Sequence, residues 1–508
     1  MTMVMKMAIE IGCPDKIAFY RKQFAFYRKQ GTYRMKRPSG ERALLTGLFT
    51  LCLALPTSLW GADSHQSLTA DQARAKAIYR ELVEIDTTHS TGDTVQAAQA
   101  MAQHLLAAGF PAEDVRVIEN APRKGNLVAR LRSAAPVKPP ILFLAHIDVV
   151  EADPADWTLP PFEFTERDGY FYGRGVVDDK DEAAIAVANL IKLRKAGFEP
   201  NRDIIIALTA DEEGGPHNGV QYLLENHRDL VDAAFVINEG GGGALRDGVP
   251  LVNSVQAAEK VYQSYYLEVT NKGGHSSLPR EDNAIYQLAH ALGEIAQFRF
   301  PVAFNEVTRT YFQRAADDLP SIDARALRRL LRNPSNRKLA DRFVDTPAYN
   351  SRMRTTCVAT QLQAGHAENA LPQRARATVN CRILPGEDPA DVQATLAGVI
   401  ADDEITITAV QPANPSPASP LSEEVMAPIQ EITSDMWPNL GTTPVMSTGA
   451  TDGLFFRRAG IPVYGVSGVF TDIDDVRAHG RDERILVRSF FEGLEFQERL
   501  IRAYGTAN

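Results

Sequence analysis

Cysteine is scarce in this chain, with four in 508 residues. Cys13 and Cys52 fall in an N-terminal stretch that reads as an address, which leaves Cys357 and Cys381. Neither lies near the polar loops described below, so a cysteine nucleophile is excluded there. Positive charge is short as well. The formal net charge is -10, whereas a nucleic-acid binder needs a basic face for phosphates. The densest basic stretch, "ARALRRLLRNPSNRKLADRF" at 324–343, reads as an amphipathic helix pair with a solvated face. G-x-S-x-G is missing, which removes the usual serine nucleophile. "GRGVVDD" lacks the spacing of a phosphate-cradling turn. Long low-complexity tracts are absent, and 44% hydrophobic with 23% charged residues describes a globular chain. Its length exceeds one ordinary core, so two domains are expected.

The one long apolar run sits near the start. "AFYRKQ" occurs at 18–23 and again at 25–30, a tandem copy without folding logic. From Met35, "MKRPSGERALLTGLFTLCLALPTSLWGADS" places Lys36, Arg37 and Arg42 before the apolar residues 43–60. Basic, then apolar, then small is the layout of a secretory signal peptide. We therefore expect the true start at Met35, a signal over about 35–62, and a periplasmic or secreted product. Trp60 weakens the cleavage site near Ala62, so an uncleaved membrane anchor is the alternative. Pro56 argues against a comfortable spanning helix. No stable membrane span is expected after processing, and residues 1–62 are set aside from the fold.

From about residue 70 the pattern alternates helix and strand. "VQAAQAMAQHLLAAGF" (95–110) and "DEAAIAVANLIKLRKAGF" (181–198) repeat apolar residues at helical spacing. The second has an acidic start and a basic end, as the helix dipole prefers. "NLVARLRS" (126–133), "ILFLAHIDVV" (141–150), "DIIIALTA" (203–210), "AAFVINEGG" (233–241) and "IPVYGVSG" (461–468) read as strands. Several are short apolar runs, the mark of burial on both faces. Together these elements predict an α/β fold with a mostly parallel, covered sheet. At Val261 the texture changes. Residues 261–410 mix alternating strands with helices and lead into the Pro/Ser-rich "QPANPSPASP". The expected organisation is one domain from 66–260 and 411–508, interrupted by a smaller α+β domain over 261–410. Cys357 and Cys381 flank a candidate hairpin in that insert. A disulfide is open to them in an oxidising compartment, but two buried thiols are the reading favoured.

In a parallel sheet, loops at the carboxyl ends of the strands gather in one crevice. His146 and Asp148 follow 141–145, two apart and so on one face. Asp178 and Asp179 follow "YFYGRG", Glu212 and Glu213 follow 203–208, Glu239 follows 233–237, and "DVRAHGRDE" brings His479 after the last strand. Taken singly, each has a plain explanation, such as a core histidine or an acid at a helix N-terminus. Their joint arrival at strand ends has not. Uncompensated carboxylates would repel one another unless cations sat among them. His, Asp and Glu without cysteine suit zinc, cobalt or manganese. Two such ions about 3.5–4 Å apart need a bridging carboxylate, and a free carboxylate beside the activated water can take its proton.

"HID", "YGRGVVDDK", "TADEEGG", "NEGG" and "AHGRDE" together resemble the di-zinc aminoacylase/carboxypeptidase G metallopeptidases, over nearly all of 70–505. The resemblance implies a di-zinc exopeptidase-like α/β domain with an inserted lid and dimerisation domain. It implies two divalent ions, Zn2+ first, with Co2+ or Mn2+ as alternatives. His146 and Glu239 would complete one site, Glu213 and His479 the other, and Asp178 would bridge them. Asp148 would orient His146, and Glu212 would be the general base. "GGHSSLP" resembles the lid motif whose histidine, here His275, stabilises the oxyanion, in many members across a dimer interface. "GHAENALPQRARATVNCRILPGED" resembles the segment whose asparagine and arginine, here Asn369 and Arg382, bind substrate. A guanidinium suits a free carboxylate. "STGATDG" resembles the loop that lines that carboxylate, through Gly449.

Three departures stand out. Asp181 replaces the usual glycine after the lysine and is expected to add charge at the site entrance. Asn238 stands where some relatives have aspartate, and lid residues 300–358 are longer than in compact members. The implied activity is that of a metal-dependent exopeptidase or amidohydrolase, of carboxypeptidase or N-acyl-amino-acid hydrolase type. It would cut a peptide or N-acyl amide bond beside a residue with a free carboxylate. Dipeptidase or small-molecule deacylase activity is the alternative, and a non-catalytic peptide-binding protein a further one. Expected partners are a small peptide or N-acyl amino acid and, through the lid, a second copy as a homodimer.

Overall fold

The structure, a computed structural model, describes residues 67–506. The tandem repeat, the signal layout from Met35, Cys13 and Cys52 lie outside the described residues.

The centre of the fold is made by strands that are apolar at nearly every position. Ile141–His146 and Ile204–Thr209 are buried along their whole lengths and pair in parallel, Ile141 beside Ile204. Side chains alternate along a strand, so one pair of strands feeds two cores. Ile141, Phe143, Ala145, Ile204, Ile206 and Leu208 face one; Leu142, Leu144, Ile205 and Ala207 face the other. Helices Ala70–Glu84, Thr94–Ala107, Lys180–Lys195 and Val487–Thr506 close the first core. The shorter Gly219–Asn226 and Gly453–Arg458 close the second through Val220, Leu223 and Phe456.

Ten strands form this sheet. Their order is Val115–Ala121, Lys124–Leu131, Ile204–Thr209, Ile141–His146, Val236–Asn238, Val463–Gly465, Val249–Glu259, Gly243–Arg246 and Phe470–Asp472. Thr442–Ser447 adds to it, parallel to Val249–Glu259. The class is α/β, and the parallel pairing expected from sequence holds at the centre. Flanking hairpins over 115–131 and 243–259 run antiparallel, because a short turn joins only antiparallel strands.

A second sheet is wholly antiparallel, in the order Thr356–Ala364, Arg374–Ile383, Val261–Thr270 and Thr406–Ala409. Ala375, Ala377, Val379, Cys381 and Ile383 alternate onto its inner face, in one core with helices Ala284–Gln297 and Pro389–Ile400. The extra lid length goes into helices Glu306–Asp318, Ser321–Arg332 and Pro347–Met353, gathered around Phe312, Leu327, Leu330, Phe343 and Met353. The basic helix among them buries its leucines and turns Arg325, Arg328 and Arg329 outward. Among the described residues no helix is long and apolar enough to cross a membrane.

Two expectations change. Asp181 does not stand at the site entrance; it is buried in the first turn of Lys180–Lys195, and burial pushes its pKa up to about 8. Cys357 and Cys381 are not free thiols. The register sets them opposite each other, and they are joined as a disulfide. The cross-link spans 24 residues, so a Cys357→Ser/Cys381→Ser variant should lose about 3 kcal/mol of stability. Thermal unfolding under non-reducing conditions measures this, and an unchanged midpoint would contradict it.

Candidate metal centre

The three acids that leave Ile204–Thr209 occupy three different environments. Asp211 adopts a left-handed backbone, φ 57°, and is buried against the Lys124 ammonium at 2.6 Å. Its Oδ2 accepts the His217 N–H at 3.2 Å. Gly215 packs so closely there that a Cβ would stand 2.3 Å from that oxygen. The main-chain N–H groups of Glu212 and Glu213 donate to the two carboxylate oxygens of Asp148, at 3.1 and 3.0 Å. A buried cation and a buried carboxylate thus fix the turn that presents both glutamates.

His146 is the last residue of Ile141–His146, and its Nδ1 lies 3.0 Å from the Asp148 carbonyl. A carbonyl only accepts, so Nδ1 carries a proton and Nε2, which faces Asp178, is the nitrogen a metal would take on losing its own proton. The orienting contact expected of Asp148 is therefore made by its main chain. Its carboxylate, 3.8 Å from Nδ1, is committed to the glutamate turn.

Asp178 sits between two imidazoles. Its Oδ1 is 3.1 Å from His146 Nε2 and its Oδ2 is 3.1 Å from His479 Nε2. His479 Nε2 is also 2.7 Å from Glu213 Oε1. Ligand atoms of His146, Asp178 and Glu213 all lie within 4.8 Å of one another. Glu239, in the turn after Val236–Asn238, lies outside that tightest set but within its electrostatic field.

Charge is crowded here, and the titration behaviour shows it. Burial, then repulsion from Asp178, Asp452 and Glu213 against the pull of His146, lifts Glu239 to about 8. Burial raises Glu212 well above the carboxylate range, reinforced by Asp452, Glu239 and Glu213. Glu213 is raised by burial and by Asp178. Asp178 moves the other way: burial opposes, but hydrogen bonds from both histidines hold it low. His479 is driven up to about 9 by its bond to Asp178 and by Glu213. For His146, burial is outweighed by the Asp178 hydrogen bond and the surrounding carboxylates, and its pKa is raised. A divalent cation among these carboxylates would offset their mutual repulsion. Imidazole nitrogen and carboxylate oxygen are the donors zinc takes, so the residues fit the ion.

Two further acids were not legible as part of this site. Asp452 is buried, accepts from Asn218 at 2.5 Å, and is raised to about 7 by burial. Glu182 is likewise raised by burial and then by Asp181. Their motifs are visible in the sequence, but the direction in which each side chain points is not.

The lid residues form two groups. His275 and Asn369 are exposed; a two-residue ladder pairs His275 with Ala370, and just beyond it the Ser276 N–H donates to the Asn369 carbonyl at 3.0 Å. His275 Nδ1 accepts the Ser277 N–H at 3.2 Å, which leaves Nε2 to carry the proton as a donor. Within one chain these contacts are to the lid and not to the metal cluster. Arg382 is half-buried, stacks 4.7 Å from the Tyr262 ring centroid, and donates to the Thr448 carbonyl at 3.2 Å. That bond joins it to the loop of Gly449, whose N–H donates to Ser447 Oγ at 3.0 Å.

Comparison with known proteins follows the same lines. Human N-fatty-acyl-amino acid synthase/hydrolase PM20D1 is 31% identical over 387 residues, covering 73% of this chain and 75% of that protein. Probable carboxypeptidase S-like 2 of Dictyostelium discoideum is 30% identical over 376 residues, covering 72% and 71%. In fold, the chain is similar to an M20 family metallo-carboxypeptidase of Sulfolobus solfataricus, with a TM-score of 0.62 at 19% identity, covering 85% of this chain and 99% of the other. The model of peptidase family M20/M25/M40 matches residues 142–503. The chain belongs to this family and is an enzyme, a metal-dependent amide hydrolase.

Proposed function

We propose that this enzyme hydrolyses the amide bond of small peptides or N-acyl amino acids whose released residue carries a free α-carboxylate. The observation that carries the reading is Asp178, with one carboxylate oxygen on His146 and the other on His479. That is the disposition of a ligand shared by two cations. His146, Asp178 and Glu239 would hold one divalent ion and Asp178, Glu213 and His479 the other, with zinc ahead of cobalt or manganese. When bound, the pair supplies Lewis acidity to the scissile carbonyl and to water.

The remaining steps belong to the side chains. Glu212 takes the proton of the attacking water and returns it to the departing amine. Its burial raises its proton affinity, which suits a group that must hold a proton between the two transfers. His275 presents Nε2–H to the developing oxyanion once lid and substrate meet. Arg382, beside the 447–453 loop with Gly449, grips the free carboxylate, and Asn369 lines the same approach.

Two further proposals concern assembly and compartment. The lid dimerises along the edge strand Thr356–Ala364, where Val358 and Leu362 are exposed. Export to an oxidising compartment is supported by the Cys357–Cys381 disulfide and the signal layout at 35–62.

Glu212→Gln should lower kcat by about 10²- to 10⁴-fold while leaving metal content intact. Steady-state assays on an N-acyl amino acid, with metal analysis of the same sample, check this; an active variant would remove Glu212 from the role. Arg382→Met should reduce kcat/KM by about 10- to 100-fold for a substrate with a free carboxylate. The same substrate as its carboxamide should respond little, and an equal loss on both would contradict carboxylate recognition by Arg382.

A further inference from the structure

We infer that the buried pair Arg174–Glu483 is a positioning device, locking the loop that carries Asp178 to the loop that carries His479 and so setting the second cation position. The inference rests on the di-metal reading above. Glu483 follows His479 by four residues, and its side chain is fully enclosed. Its Oε2 lies 2.5 Å from Arg174 Nη1 and accepts the Gly175 N–H at 3.2 Å, while its Oε1 accepts the Val177 N–H at 2.9 Å. In the other direction, Arg174 Nη2 donates to the Gly480 carbonyl at 3.0 Å. The Gly173 N–H donates to the Glu483 carbonyl at 3.3 Å.

These bonds end next to the metal centre on both sides. Val177 immediately precedes Asp178, and Gly480 immediately follows His479. His479 itself has a left-handed backbone, φ 61°, a conformation that a neighbouring restraint must hold. Neither Arg174 nor Glu483 is a ligand candidate, since both Glu483 oxygens are already taken by the arginine and the backbone of the Asp178 loop. As a stabiliser the pair is a weak choice, because buried ion pairs are often replaced by apolar residues without loss. Direction is what it offers. A carboxylate gripping two main-chain N–H groups fixes a loop more tightly than an apolar contact of equal area.

The test is zinc titration of metal-stripped protein against a chromophoric chelator, for wild type, Glu483→Gln and Arg174→Lys. Glu483→Gln keeps the shape and loses the charge; Arg174→Lys keeps the charge and loses the second prong. The expected result is a wild type that binds two ions, and variants that stay folded when stripped, though they melt lower because one buried charge has lost its partner. In the variants the first ion should bind within about threefold of wild type, and the second should weaken by about 10- to 100-fold. Unchanged affinity for the second ion in both variants would overturn the inference. So would a lower melting point of the stripped protein with both affinities intact, the mark of a purely structural pair. A wild type that binds fewer than two ions would instead overturn the di-metal reading, whatever the variants do.

Discussion

Burying like charges together is the constraint on which this structure turns. Asp148, Asp178, Glu212, Glu213, Glu239 and Asp452 converge at the carboxyl edge of one sheet, with His146 and His479 among them. A desolvated carboxylate costs several kcal/mol unless it is paired. Burial leaves every one of these acids except Asp178 with a raised proton affinity, and it pushes Glu239 to about 8 and Asp452 to about 7. Folding could have been served by apolar residues at every one of these positions. Acids gathered in this way are the donors a site for metal cations requires.

Around that cluster the carboxylates divide their labour. Those with free oxygens face the reaction crevice; others have their oxygens engaged by main-chain N–H groups and buried cations. Asp148 holds the main-chain N–H groups of Glu212 and Glu213, and Asp211 is pinned by Lys124. Glu483 holds the turn before Asp178. Glu259 pairs with Arg457 at 2.6 Å and accepts the Thr451 N–H at 3.1 Å, steadying the loop next to Gly449. Asp148, Glu483 and Glu259 each act on the loop of another strand, so the candidate ligands are held by cross-links between strand ends. A loop on its own fluctuates too freely for di-metal geometry, and these braces supply what the loops lack.

Much of this was legible from the chain alone. Short apolar runs located Ile141–His146 and Ile204–Thr209, and with them the strand ends that deliver His146, Glu212 and Glu213. Helical spacing found Thr94–Ala107 and Lys180–Lys195 to within a turn at each end. What sequence could not supply was partnership across distance. Lys124 and Asp211 are 87 apart by number, yet 2.6 Å apart in space, and no local pattern announces it. The same holds for Arg174 with Glu483 and for the register that sets Cys357 opposite Cys381. Asp181 misled because a lone acid near a motif reads as solvent-exposed, while its helix turns it inward. The flanking hairpins misled in a similar way, since an apolar run does not encode the direction of its neighbour.

The most direct measurement is metal content by plasma mass spectrometry, paired with amine release from an N-acyl amino acid before and after exhaustive chelation. The account requires about two divalent ions per chain, hydrolysis that disappears when they are removed, and recovery on adding zinc. Hydrolysis that survives complete removal of metal would contradict it, because the acid cluster would then have no cation to hold.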